Sequence, residues 1–197
     1  GWPVRIHPDG RSVFSTPTFG DVDGDGLVDL LVTDLRYGAL YKNLGNGIFE
    51  DITRRSGIAN YFSGKGQWGA ALFDYDNDGD LDIFTANGTA EELKLQLPLL
   101  LENDGGGKFS DAGPRTSDYF KTKRSGRAAA IWDYNNDGNL DIIVSHIDLT
   151  ATPALLRNEG GSGNHWIGIS LKNKQGDVSV PGARVTLVSS GHRQVKI

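Results

Sequence analysis

Three stretches of this 197-residue chain place oxygen-bearing side chains at every second position. Asp21, Asp23, Asp25 and Asp29 form the first, and Asp74, Asp76, Asp78 and Asp82 the second. Asp133, Asn135, Asp137 and Asp141 form the third. Within each nine-residue loop these are positions 1, 3, 5 and 9, and Gly26, Gly79 or Gly138 stands at position 6, where the chain must turn sharply. The backbone carbonyls of Leu27, Asp80 and Asn139 at position 7 complete a set of oxygen donors. This is the ligand order of the front half of an EF-hand loop, which wraps a divalent cation. An EF-hand would need Glu at position 12, but Val32 stands there in an apolar run, so the site is read as strand-loop-strand. Oxygen-only ligands favour Ca²⁺, Mg²⁺ or Mn²⁺ over Zn²⁺ or Cu²⁺. Many carboxylates on a flexible loop favour Ca²⁺ over the strict octahedron of Mg²⁺. The expectation is about three Ca²⁺ per chain, which would offset the formal net charge of -5.

The competing reading is three Asx turns with solvated carboxylates. Like charges ~4 Å apart repel by roughly 4 kcal/mol at an effective dielectric of 20, so converging carboxylates without a cation would force the turn open. One Asp-Gly turn is common by chance; three copies starting 53 and 59 residues apart are not. Ligand charge ranks the loops. Loop three, with Asn135, should bind most weakly, and loop two, with Asp80 in reserve, most tightly.

Strands must carry these loops. Thr18-Phe19, Ala70–Phe73 and Ala129–Trp132 lead in, and Leu30–Val32, Ile83–Thr85 and Ile142–Val144 lead out. A third run follows each time, at Leu40-Tyr-Lys, Leu100-Leu-Glu and Leu155-Leu-Arg, ending in an Asn-x-Gly turn that signals a hairpin. A short fourth strand is expected at Phe49–Ile52 and Phe109–Ala112. Four strands repeated about every 50 residues is the pattern of β-propeller blades, with a three-sheet solenoid as the competing architecture. The fold class is therefore all-β: about three four-stranded propeller-type blades, part of a larger propeller, followed by a short β segment. Residues 1–160 are assigned to the blades and 161–197 to a further, truncated β domain. Its expected strands are Trp166–Leu171, Ala183–Val188 and Gln194–Ile197. Ala90–Leu101 is the one stretch with helical character, and with Pro98 as a breaker it reads as an insertion on a loop face.

Composition narrows the function. The chain holds 20 Asp against 5 Glu, a bias toward turns and tight metal loops rather than helix surface, and 27 Gly serve many tight turns. No Cys is present, which excludes disulfides and thiolate metal sites. Nothing is strongly basic, so nucleic acid is not an expected partner. No apolar run reaches membrane-spanning length.

The D-x-D-x-D-G-x-x-D loop, its flanking strands and the Asn-x-Gly-x-Gly-x-Phe-x-Asp hairpin resemble FG-GAP (VCBS-type) repeats, whose loops also occur in integrin alpha-chain propellers. The resemblance covers residues ~15 to 160, a span that suits repeats of this length. It implies that the twelve loop residues named above are calcium ligands. In the tail, Asn164-His-Trp-Ile and Pro181-Gly-Ala-Arg-Val185 resemble the start of an ASPIC/UnbV domain. FG-GAP repeats followed by this domain resemble the cartilage acidic protein and UnbV group, which implies an extracellular, cell-surface or periplasmic location.

No catalytic set is found. His7, His146, His165 and His192 lack metal-binding pairings, and Gly105-Gly-Gly107 reads as a hairpin turn rather than a phosphate loop. His146 is expected at a rim or in packing, and Trp68 and Trp132 in the core. Asn87-Gly-Thr89 is a glycosylation sequon. The leading expectation is a non-enzymatic adhesion, matrix or surface-assembly module with structural calcium, meeting a protein or glycan partner at the cell surface. A carbohydrate-binding or polysaccharide-cleaving propeller is one alternative. Another is a self-assembling filament or surface-layer subunit, associating through open blade edges.

Overall fold

The structure is a computed structural model and describes residues 14–89, 94–147, 152–160, 163–176, 178, 182–189 and 192–196. Three antiparallel sheets follow one another along the chain. Blade 1 holds β1 (Phe14–Gly20), β2 (Asp29–Asp34), β3 (Ala39–Asn43) and β4 (Phe49–Asp51) in that spatial order. Blade 2 repeats it with β5 (Gln67–Phe73), β6 (Asp82–Asn87), β7 (Leu99–Asn103) and β8 (Phe109–Asp111). Blade 3 has β9 (Gly126–Trp132), β10 (Asp141–His146) and β11 (Ala154–Leu156), three strands among the described residues. Its sequence lacks the Gly-x-Phe-x-Asp run from which β4 and β8 arise.

Consecutive first strands lie side by side, β1 against β5 and β5 against β9, as the inner strands of propeller blades do. Thr16 Oγ1 donates to the Trp68 carbonyl at 2.7 Å, tying the first two together. A Cβ at Gly69 would lie 2.6 Å from the Ala129 nitrogen, so β5 and β9 meet at backbone distance and only glycine fits there.

Two apolar cores hold the blades together. Leu31, Leu40, Ile58, Phe62, Ile83 and Leu101 belong to the core between blades 1 and 2. Phe84, Leu100, Phe120, Ile142 and Val144 belong to the core between blades 2 and 3. Neighbouring residues Ile83 and Phe84 point into opposite cores, because side chains alternate along a strand. The middle blade is covered on both faces, and β6 is buried along its whole length.

Four sequence expectations need correction. Residues 94–101 form no helix: Leu95 and Gln96 make isolated bridges to Gly88 and Arg124, and β7 starts at Leu99. Ala90–Leu93 lie outside the described residues. The short helices instead fill the blade-to-blade connections, at α1 (Ile58–Phe62) and α2 (Gly113–Thr116). Ile58 and Phe62, four apart on one face, both point into the first core. Trp166–Leu171 forms no strand. Its apolar side chains stay exposed, and it pairs with no strand among the described residues. The tail's described strands are β12 (Val185–Ser189) and β13 (His192–Lys196), which pair as a hairpin. Trp132 is 41% exposed rather than in the core, and stacks edge-on with Tyr134. Trp68 is half-buried under the Arg127 guanidinium.

Candidate metal sites

Each Asp loop joins the first and second strands of its blade, and each is built by the same hydrogen bonds. The position-1 carboxylates of Asp21, Asp74 and Asp133 accept the N–H of Gly26, Gly79 and Gly138 at 2.8, 3.0 and 2.8 Å. The position-5 carboxylates of Asp25, Asp78 and Asp137 accept the position-7 N–H at 2.8, 2.9 and 2.9 Å. Position 6 is left-handed in all three, at φ 88, 104 and 86°. So is position 4, occupied by Gly24, Asn77 and Asn136 at φ 69, 59 and 59°. Only Gly, or Asn and Asp with their local hydrogen bonds, visits that region readily. The Gly/Asn/Asn pattern was a readable signal that the spacing of the acids alone does not use.

The ninth residue braces the loop. Asp29, Asp82 and Asp141 are at most 1% exposed. One oxygen of each accepts the position-2 N–H, from Val22, Tyr75 or Tyr134, at 2.9, 3.0 and 3.1 Å. The other accepts the N–H of an Asn at or just past the end of the third strand, Asn43, Asn103 or Asn158, at 2.8, 2.9 and 2.7 Å. The carboxylate thus pins loop to hairpin. Those Asn side chains carry the brace further. Asn103 Nδ2 donates to the carbonyl of Val22 in the preceding blade's loop at 2.8 Å, and Asn158 Nδ2 to Tyr75 at 2.6 Å. Asn77 also reaches from loop two to the Asn139 side chain of loop three at 3.0 Å.

The loops differ in which acids converge. One oxygen each from Asp21, Asp23 and Asp29 lie within 4.8 Å of one another, and so do those from Asp74, Asp76 and Asp78. Asp21 Oδ1 and Asp23 Oδ1 are buried and accept no hydrogen bond from any described residue. A buried anionic oxygen without a donor is costly, and a cation is one partner that would fit this donor set. Asp25 turns from the trio to Lys42, whose Nζ bonds Asp23 and lies 2.8 Å from Asp25. Asp82 stands outside the second trio, held by its two N–H bonds. In loop three no such acidic trio occurs among the described residues. Amide groups hold Asp137 instead: Asn135 Nδ2 at 2.7 Å and Asn139 Nδ2 at 3.0 Å. The Asp80 carboxylate lies against Gly105 of the neighbouring hairpin, 2.7 Å from where a Cβ would stand.

The tail touches all three loops, a feature the sequence does not foretell. Asn164 Nδ2 donates to the Asp76 carbonyl at 3.3 Å, and Arg184 Nη2 to the Gly26 carbonyl at 2.7 Å. The Trp166 indole lies over Gly138, where any side chain would overlap it. Two other sequence features resolve here. His146 bridges the Tyr119 hydroxyl and the Thr152 carbonyl, a packing role. Asn87 of the sequon is 1% exposed and donates to the Leu97 carbonyl, so its amide does not face solvent.

Burial pushes Asp82 up to about 8 and Asp29 to about 6. Burial and the neighbouring Asp78 and Asp74 charges push Asp76 to about 6. For Asp25, burial works upward, but Lys42 and the Leu27 N–H outweigh it and hold the carboxyl below its usual range. Between about pH 4 and pH 8 the folded, metal-free chain therefore binds more protons than the unfolded chain, and its stability falls as pH rises through that window. The urea midpoint in chelator should be higher at pH 5 than at pH 8. Saturating calcium should reverse the order, since protons compete with the ion for the same oxygens.

Residues 21–85 match the family model of the FG-GAP-like repeat. The chain is similar to cartilage acidic protein 1 from Xenopus tropicalis, 24% identical over 206 aligned residues that cover 75% of this chain and 31% of that protein. Against cartilage acidic protein 1 from Homo sapiens it is 28% identical over 117 residues, covering 58% of this chain and 17% of that protein. The chain thus spans less than a third of the length of these curated relatives. Among the described residues no helix is long and apolar enough to cross a membrane.

Proposed function

We propose that this chain is a calcium-binding propeller module that works outside the cell, in adhesion, matrix or surface assembly, with calcium as a structural element. The observation that carries the reading is the pair of buried, partnerless carboxylate oxygens on Asp21 and Asp23, inside a trio of acids. A second convergent trio of acids, Asp74, Asp76 and Asp78, supports it. Asp21, Asp23, Asp25 and Asp29, with the Leu27 carbonyl, would hold the first ion. Asp74, Asp76, Asp78 and Asp82, with the Asp80 carbonyl, would hold the second. Asp133, Asn135, Asp137 and Asp141, with the Asn139 carbonyl, would hold the third. A bound ion would neutralise the inward carboxylates and fix the turn, and it has no substrate to activate in this reading. The extracellular setting is supported by the FG-GAP-like repeat and the similarity to cartilage acidic protein 1. The chain is read as non-catalytic, meeting a protein or glycan partner, or copies of itself, at the surface.

Terbium, an oxygen-seeking stand-in for calcium, tests the reading. Tyr75 and Tyr134 sit at position 2 of loops two and three. Ultraviolet excitation should give sensitised terbium emission that calcium quenches by competition, and Tyr75→Phe should remove the loop-two share. Absence of any sensitised emission, or emission that calcium leaves untouched, would count against the reading.

A further inference from the structure

Strand pairing fixes which residues of the three blades are equivalent. Tyr41, Leu101 and Leu156 each face the residue that follows the ninth Asp, namely Leu30, Ile83 and Ile142. The next residues along, Lys42, Glu102 and Arg157, therefore occupy one place in three blades, immediately before the bracing Asn. That place adjoins the loop. Lys42 bonds Asp23 and Asp25 of loop one. Glu102 accepts the hydroxyl of Tyr75 in loop two at 2.5 Å and pairs with Arg115. Arg157, paired with Glu159 at 3.7 Å, lies within electrostatic reach of Asp137 in loop three.

From this we propose that the residue before the bracing Asn sets each loop's cation affinity, and that Lys42 is a built-in counter-cation competing with a divalent ion for loop one. The inference rests on the calcium reading above and adds a determinant outside the nine-residue loop. The Lys42 side chain is only 20% exposed, and those of Asp23 and Asp25 are 17% and 31% exposed, so water screens this contact incompletely. An ammonium is a compact point charge on a flexible stem, able both to occupy the carboxylates and to swing away. While in place it draws Asp25 out of the trio formed by Asp21, Asp23 and Asp29. A calcium ion entering loop one must displace it. Loop two has the opposite arrangement, a carboxylate where loop one has the ammonium. Loop one is thereby kept assembled at low calcium, whereas loop two depends on the ion.

The test uses the full chain and a calcium titration followed by NMR, with the amides of Gly26, Gly79 and Gly138 reporting loops one, two and three. Lys42→Gln should tighten loop one about tenfold, a shift within the range that ligand charge count sets, and lower the melting temperature in chelator. Loops two and three should keep their affinities within about twofold, because the contact is local. Lys42→Arg, which keeps the charge, should not tighten loop one. Glu102→Lys should move the device and weaken loop two about tenfold. Unchanged loop-one affinity in Lys42→Gln, with loops two and three filling normally, would overturn the inference and leave the calcium reading standing. If no loop takes up calcium in either wild type or Lys42→Gln, both fall together.

Discussion

Replacing Asp82 with Ala should destabilise the chain by roughly 2–6 kcal/mol whether or not calcium is present. Its two oxygens satisfy the N–H groups of Tyr75 and Asn103, the latter bond wholly buried. Truncation leaves both donors without acceptors, at about 1–3 kcal/mol each. It also frees loop two from the hairpin that carries Asn103, whose amide reaches the loop of blade 1. The loss should therefore spread to the interface between blades 1 and 2. Urea unfolding in chelator and in calcium would measure it. A loss confined to the calcium condition would mean that Asp82 is a ligand and not a brace.

Calcium itself should have the other large effect. Sites of extracellular modules bind at roughly 10⁻⁴ to 10⁻³ M. At ~100 times the dissociation constant each independent site adds about 2.7 kcal/mol, so three would add about 8 kcal/mol. At 2–4 °C per kcal/mol for a chain of this size, chelation should lower the melting temperature by well over 10 °C. Asp78→Ala isolates one share of this. Asp78 lends an oxygen to the trio of loop two and otherwise accepts only the exposed Asp80 N–H. The variant should melt within a few degrees of wild type in chelator and lose at least about a third of the calcium-induced rise, since loop two should be the tightest site. Equal melting temperatures with and without calcium in wild type would show that the ion has no structural role.

What could be read from sequence is local. A repeat of two along the acids, a Gly at the sixth loop position and apolar runs on either side all fall within nine to thirty residues. They point to the loops, the strand order and the blades, though the first two strands of every blade and the third of blades 1 and 2 run two to five residues beyond the apolar runs, because residues such as Gly126 and Gln67 do not advertise a strand. The rest depends on residues distant in the chain. The Asn103 brace spans 81 residues, the Lys42 contact 19 and the Arg184 contact with loop one 158. No periodicity announces such pairs. Trp132 shows the limit in the other direction. An indole before an Asp loop suggests a core, but its place on β9 turns it outward beside Tyr134. The double role of Asp29, Asp82 and Asp141 was hidden for a similar reason, since a carboxylate at a ligand position looks the same whether it faces an ion or two backbone donors.

The central claim, that the Asp loops take up calcium as specific sites, is tested most directly by native mass spectrometry of the intact chain at millimolar calcium. Discrete species with up to three calcium ions are expected, lost on chelation, with one fewer in Asp78→Ala. A spectrum showing only the bare chain, the same for wild type and variant, would contradict it.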